Sequence, residues 1–159
     1  MTRYTIQEKD SFTVLGIGTE LKSDYTDSDG INREKLEFWQ TISQDGTLDK
    51  LKAIAANDYI FSVNEAVNDK MIHYAGVMTK SSIPEASRNI QFPKGEYVVV
   101  KGEASTAEDL FKELTDLTFG EVLVEEKYYA YVGGPNTAVI TEKKDRLLIG
   151  EMWIPVVKI

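Results

Sequence analysis

Glu151 and Trp153 stand two residues apart in the run Gly150-Glu151-Met152-Trp153-Ile154-Pro155-Val156, which is otherwise apolar. Alternate residues of a strand share a face, so the carboxylate and the indole point one way. Met152 and Ile154 point the other way, toward whatever packs behind the sheet. A carboxylate in such a strand is stable if it meets a basic side chain, stands in a wet cleft, or holds a cationic ligand against aromatic walls. Two chemistries are open to the pair. It can hold a small lipophilic cation, or Glu151 can position or deprotonate a water attacking a strained electrophilic carbon while a tyrosine hydroxyl, Tyr131 first, serves the leaving group. A third reading, from a different class, is a protein-binding modulator that never meets a small ligand.

The chain carries eight tyrosines and two tryptophans, a stock suited to a flat, polarizable pocket. Strand parity puts Tyr129 and Tyr131 on one face and Ala130 and Val132 on the other, where small side chains suit packing beneath a helix. The Tyr129/Tyr131 face is therefore assigned to the cleft. Tyr97 shares its face with Val99 and Lys101 and reads as half exposed, Tyr59 and Phe61 share a strand face, and Trp39 belongs to a helix at the rim. His73, the one histidine, reads as a hydrogen-bonded structural group rather than a catalyst. Glu65, Glu121, Glu125 and Glu126 fall near turns or strand ends, where solvation is the default, and no serine sits in a nucleophile-elbow context.

A chain of 159 residues at 42% hydrophobic content suffices for one domain with a sizeable core, or for two small subdomains sharing one. A net charge of -8 argues against a phosphate-binding surface, because nucleic-acid affinity comes largely from Lys and Arg displacing counterions. The absence of cysteine removes disulfides, thiol nucleophiles and thiolate metal sites, and a lone histidine cannot build a histidine-rich zinc centre. No metal or cofactor is expected. No signal core is present and no apolar run approaches the ~20 residues of a membrane span, so the expectation is a cytoplasmic protein without membrane or direct nucleic-acid partners. A protein partner and the oligomeric state stay open.

The positioning elements follow from local patterns. Residues 12–19 read as a short β-rich strand whose two glycines indicate a bulge or a close backbone approach rather than a nucleotide loop. Residues 22–30 read as a loop, Asn32 as the N-cap of a helix over 33–43, and 48–56 as a second short helix. Strands at 59–66 and 71–79 flank a turn built on Asn68 and Asp69. The polar stretch 80–92, with Pro84, reads as a junction, and 93–101 as a turn feeding a strand. Ser105 or Thr106 caps a helix carrying Leu110, Phe111, Leu114 and Leu117 on one stripe, and strands at 125–132 and 146–157 close the chain around a loop opened by Gly133-Gly134-Pro135. The order is β-α-β-β twice, with half-repeats of about 1–80 and 93–159 in a single domain. This predicts an α+β fold with pseudo-twofold symmetry, antiparallel sheets, helices on one side and a ligand cleft between the halves.

Three pieces carry a family resemblance: the opening strand Phe12-Thr13-Val14-Leu15-Gly16-Ile17-Gly18, the mid-chain Phe92-Pro93-Lys94-Gly95-Glu96-Tyr97, and the closing Glu151-Met152-Trp153-Ile154-Pro155-Val156. In their order and spacing the chain resembles the GyrI-like small-molecule-binding domain, the effector-binding domain of AraC-type and multidrug-sensing transcription regulators. The resemblance implies a tandem β-α-β-β fold and an aromatic-lined pocket whose glutamate, here Glu151, meets cationic, lipophilic, drug-like ligands. Such regulators carry a helix-turn-helix segment before the domain, whereas this chain starts within a few residues of its first strand, so it looks like a stand-alone member of bacterial type. Members of that kind sequester small molecules or modulate other proteins, and some are similar to hydrolases that open cyclopropane rings in DNA-alkylating toxins. The resemblance thus leaves binding and hydrolysis both open.

Overall fold

A computed structural model of the chain describes residues 4–159. Its elements, in chain order, are β1 (Tyr4–Lys9), β2 (Phe12–Leu21), α1 (Ser28–Gln44), α2 (Thr47–Ile54), β3 (Ile60–Val67), β4 (Lys70–Val77), β5 (Arg88–Phe92), β6 (Gly95–Ala104), α3 (Ala107–Leu117), β7 (Tyr129–Tyr131), β8 (Asn136–Lys144) and β9 (Leu147–Lys158). Between α3 and β7 the helix widens into a π-helical turn, Thr118–Val122, and ends in one further turn, Leu123–Glu125.

Helix α1 starts earlier than expected. Asp27 caps it by accepting from the Gly30 N–H at 3.0 Å, which places Asn32 inside the helix. Asp caps as well as Asn does, and Asp27 comes first along the chain. Thr106 caps α3 as expected, accepting from Asp109 N at 3.2 Å with Glu108 and Asp109 in the first turn. Asn68 and Asp69 both adopt positive φ, 52° and 65°, as the tight β3–β4 hairpin requires.

The described strands form one nine-stranded antiparallel sheet in the order β1-β6-β9-β8-β3-β4-β2-β5, with β7 adding to the end of β9 beyond β8. Outward from the β8–β3 seam the two sides repeat: β9, β6 and an edge strand on one side, β4, β2 and an edge strand on the other. This is the pseudo-twofold of a tandem β-α-β-β fold. Four strands differ from the sequence expectation. β1 and β5 are edge strands in polar segments, β8 occupies the stretch expected as a loop after Gly133-Gly134-Pro135, and the expected strand at 125–132 shrinks to β7.

Two short links fix the curvature. Asp10 and Ser11 join edge strand β1 to β2 near the far edge, and Pro93 and Lys94 join edge strand β5 back to β6. In a flat sheet β2 and β6, five spacings apart, would lie about 24 Å from each other at ~4.8 Å per strand. Yet the Phe12 and Tyr97 rings on those strands are 6.3 Å apart. The sheet is therefore curled into a half-barrel. Its concave side holds a cluster including Val14, Phe61, Tyr74, Phe92, Tyr97 and Trp153. Helix α3 covers the opposite face over Val98, Val100, Met152 and Ile154, and α1 and α2 cover Leu15, Ile17 and Val77.

Candidate ligand-binding site

Strand β9 lies between β6 and β8, and its alternation sends Met152 and Ile154 beneath α3 while Glu151 and Trp153 face the concave side. The Trp153 indole N–H donates to Glu151 Oε1 at 2.8 Å, which holds the carboxylate beside the ring. Phe61 meets the indole edge-on at 5.8 Å and Phe12 does so at 5.6 Å, so the ring is gripped from β3 and β2. Phe12 in turn stacks on Phe92 at 4.5 Å, with the planes 5° apart. Over the Trp153 ring stands the Lys9 ammonium, 4.0 Å from the centroid. Burial pushes the Lys9 pKa down, opposed by the attraction of Glu151.

Five of the residues singled out in the sequence thus come together: Glu151, Trp153, Phe61, Tyr97 and, at the margin of the cluster, Tyr59. Tyr97 is fully buried rather than half exposed. Its hydroxyl donates to the Pro93 carbonyl at 2.6 Å, and burial raises its pKa to about 12. Glu65 is not simply solvated, since Arg88 Nε lies 2.8 Å from its Oε1 and the Tyr74 hydroxyl donates to the same oxygen at 3.1 Å.

Tyr129 and Tyr131 sit elsewhere. β7 pairs with the end of β9 so that Tyr131 lies opposite Val156, and both tyrosines pack into the cluster beneath α3. The expectation that they share the Glu151 face is corrected by this register, which turns Ala130 rather than the tyrosines toward the other side. Tyr131 donates to the Gly134 carbonyl and meets Phe119 edge-on, while Tyr129 donates to Glu96. Glu151 and Tyr131 therefore lie on opposite faces of the sheet and cannot flank one reacting atom.

Trp39 is also on the helix-covered face, where it contacts Phe111 of α3 at 5.3 Å between ring centroids. The two rings divide the groove between α1 and α3 into cavities of about 250 and 610 Å³. Beneath them runs a one-way hydrogen-bond chain. Trp39 Nε1 donates to His73 Nε2 at 2.9 Å, so the neutral imidazole keeps its proton on Nδ1 and donates to Asn64 Oδ1 at 2.8 Å. Asn64 Nδ2 donates to Asn136 Oδ1 at 3.3 Å, and Asn136 Nδ2 to the Tyr131 hydroxyl at 3.1 Å. Burial, aided by the nearby Lys35 charge, holds the His73 pKa well below 6.5. His73 is thus buried and hydrogen-bonded through both ring nitrogens.

Sequence reasoning missed Lys9 and the role of Phe12 in gripping Trp153. The available signal was the alternation of Tyr4 and Ile6 against Thr5, Gln7 and Lys9, a half-polar strand pattern. No group of three or more His, Cys, Asp or Glu residues suited to a metal ion occurs among the described residues. No helix among them is long and apolar enough to cross a membrane.

A curled antiparallel half-barrel with two helical layers on its outer side defines a GyrI-like effector-binding domain. Residues 5–156 match the Cass2 family, integron-associated effector binding proteins, and the chain belongs to that family. Among solved structures it is similar to SAV2435 bound to tetraphenylphosphonium, with a TM-score of 0.78 and 18% identity over 98% of this chain and 94% of that one. An integron cassette protein from the mobile metagenome of Vibrio cholerae superposes at 0.55 with 14% identity, covering 97% and 95% of the respective chains. The C-terminal domain of EcmrR superposes at 0.55 with 8% identity, covering 100% and 99%. At these identities the likeness is one of fold. No protein of curated function matches the chain in sequence.

Proposed function

We propose that this chain binds lipophilic organic cations at the mouth of the half-barrel, with the Glu151 carboxylate and the Trp153 ring as the pair that holds the charge. The observation that carries this reading is the Lys9 ammonium over Trp153, beside Glu151: the fold already seats a positive charge against this aromatic face. Cation–π contacts contribute about 0.5–1 kcal/mol at exposed sites and ~2 kcal/mol or more when desolvated, and a neighbouring carboxylate adds to this for a cation alone. Membership of an effector-binding family and the tetraphenylphosphonium held by a protein of the same fold support the reading.

The two tryptophans provide the test, since Trp153 belongs to the concave face and Trp39 to the groove between the helices. Titration with tetraphenylphosphonium, followed by the two indole N–H resonances, should shift Trp153 and leave Trp39 nearly in place. A shift confined to Trp39 would move the site to the groove. The interior is filled by the chain's own rings, which favours a second reading, the protein-binding modulator; then neither resonance responds. The binding unit in this proposal is the whole domain, with half-repeats at about 1–80 and 93–159. Superposing those halves through the seam, strand for strand, is the check on the repeat.

A further inference from the structure

Very little chain separates Lys9 from a neighbour of the ring it covers. It is the last residue of β1, and Asp10 and Ser11 alone separate it from Phe12, whose ring meets Trp153 at 5.6 Å. Among the described residues it is the one cation placed over an aromatic ring. Lys101 faces Glu151 across the β6–β9 register, yet it makes no ring contact. Of the two lysines next to Glu151, Lys9 over the ring and Lys101 across the β6–β9 register, Lys9 alone occupies the position that an external cation would take.

We infer that Lys9 is a built-in competitor: its ammonium occupies the Trp153–Glu151 seat in the free protein and must leave before a ligand enters, so that it sets which cations the site accepts. The inference rests on the functional reading above and goes further by assigning selectivity to one residue. A tethered group acts at an effective concentration on the order of mM when its link is short. Small hydrophilic cations, which offer the seat no more than an ammonium does, lose to it. A lipophilic cation also buries apolar surface against Phe12 and the vacated Trp153 face, a gain that Lys9 cannot match. If the seat is about 90% filled by Lys9, the apparent Kd of any competitor is raised about 10-fold, because only the vacated fraction can bind.

Tetraphenylphosphonium is titrated calorimetrically into wild type and the Lys9→Ala, Lys9→Arg and Lys101→Ala variants. Lys9→Ala should bind about 10-fold more tightly than wild type. Lys9→Arg, which keeps a tethered cation, should stay at or above the wild-type Kd, and Lys101→Ala should tighten binding much less than Lys9→Ala does. Equal tightening in Lys9→Ala and Lys101→Ala would reduce the effect to general charge removal and overturn the inference, as would unchanged or weaker binding in Lys9→Ala. A readout independent of ligand keeps the test decisive. Protons above an indole face resonate upfield, so the Lys9 Hε signals of wild type should lie upfield of those of the other lysines and return toward them when tetraphenylphosphonium binds. Lys9 signals at the ordinary position in the free protein would overturn the occupied seat. Upfield Lys9 signals with no tetraphenylphosphonium binding to any variant would leave Lys9 in its seat as a structural cation, and would overturn both the competitor role and the cation-binding function.

Discussion

The two faces of the sheet keep their polar groups in opposite places. On the concave face the interior is apolar and aromatic, and its charges form two groups, Glu151 and Lys9 at Trp153 and the Glu65–Arg88 pair at Tyr74. On the helix-covered face a buried polar chain from Trp39 through His73 and Asn64 to Asn136 runs beneath the groove between α1 and α3. A satisfied internal network fixes one arrangement and leaves little hydrogen-bonding capacity for a ligand. An aromatic interior whose indole and hydroxyl groups are already paired with the chain presents mainly ring faces, which suits rings of varied shape. The face that carries the groove between α1 and α3 is therefore the more rigidly specified one.

The largest effect should come from the concave core. Phe61 is fully buried and touches Trp153, Phe12 and Tyr59, so Phe61→Ala should destabilise the fold by about 3–5 kcal/mol in denaturant unfolding. A much smaller loss would mean that the interior is loosely packed and already open to ligands. On the other face, His73→Leu strips partners from the Trp39 N–H and the Asn64 carbonyl, at about 1–3 kcal/mol for each group left unsatisfied.

The same histidine predicts a sign with pH. Its folded pKa lies well below 6.5, so its contribution is present in full above pH ~6.5 and is lost as pH falls from there through the folded value. Thermal melts across that range should show wild type losing Tm on acidification more steeply than His73→Leu does. The concave face responds at the alkaline end. The Tyr97 and Tyr74 hydroxyls are pushed up to about 12, so their contribution is present below pH ~10 and is lost as pH rises from there through about 12. Tyr97→Phe should blunt that alkaline loss and cost about 1 kcal/mol near neutrality for the bond to Pro93. The smallest effect belongs to neither face: Asp116→Ala removes an exposed i,i+4 partner of Lys112 and should leave Tm unchanged within error.

Much of this contrast was legible in the sequence where periodicity was strong. Alternation along β9 separated Glu151 and Trp153 from Met152 and Ile154, the α3 stripe announced its own burial, and Asn68-Asp69 marked a hairpin. The rest was hidden for physical reasons. β1 and β5 are edge strands whose half-polar alternation resembles loop, and β8 ends in Glu142, Lys143 and Lys144, which solvate its far end. Tyr129 and Tyr131 were placed on the wrong face because a three-residue strand takes its orientation from the register with β9, which its own residues do not encode. Lys9 escaped notice because its role depends on a curl that brings distant strands of the sheet together, and a single strand's pattern carries no trace of that.

In the proposed function Glu151 and Trp153 hold a cation by its charge. Calorimetric titration of wild type and Glu151→Gln with tetraphenylphosphonium and with neutral triphenylphosphine oxide tests it most directly, since the amide keeps the shape of the side chain and removes the charge. Affinity for the cation should fall markedly in Glu151→Gln, on the order of 10-fold for ~1.4 kcal/mol, with the neutral compound bound almost equally by both proteins. Equal affinities of the two proteins for both compounds would contradict it and return Glu151 to a structural role on the closing strand.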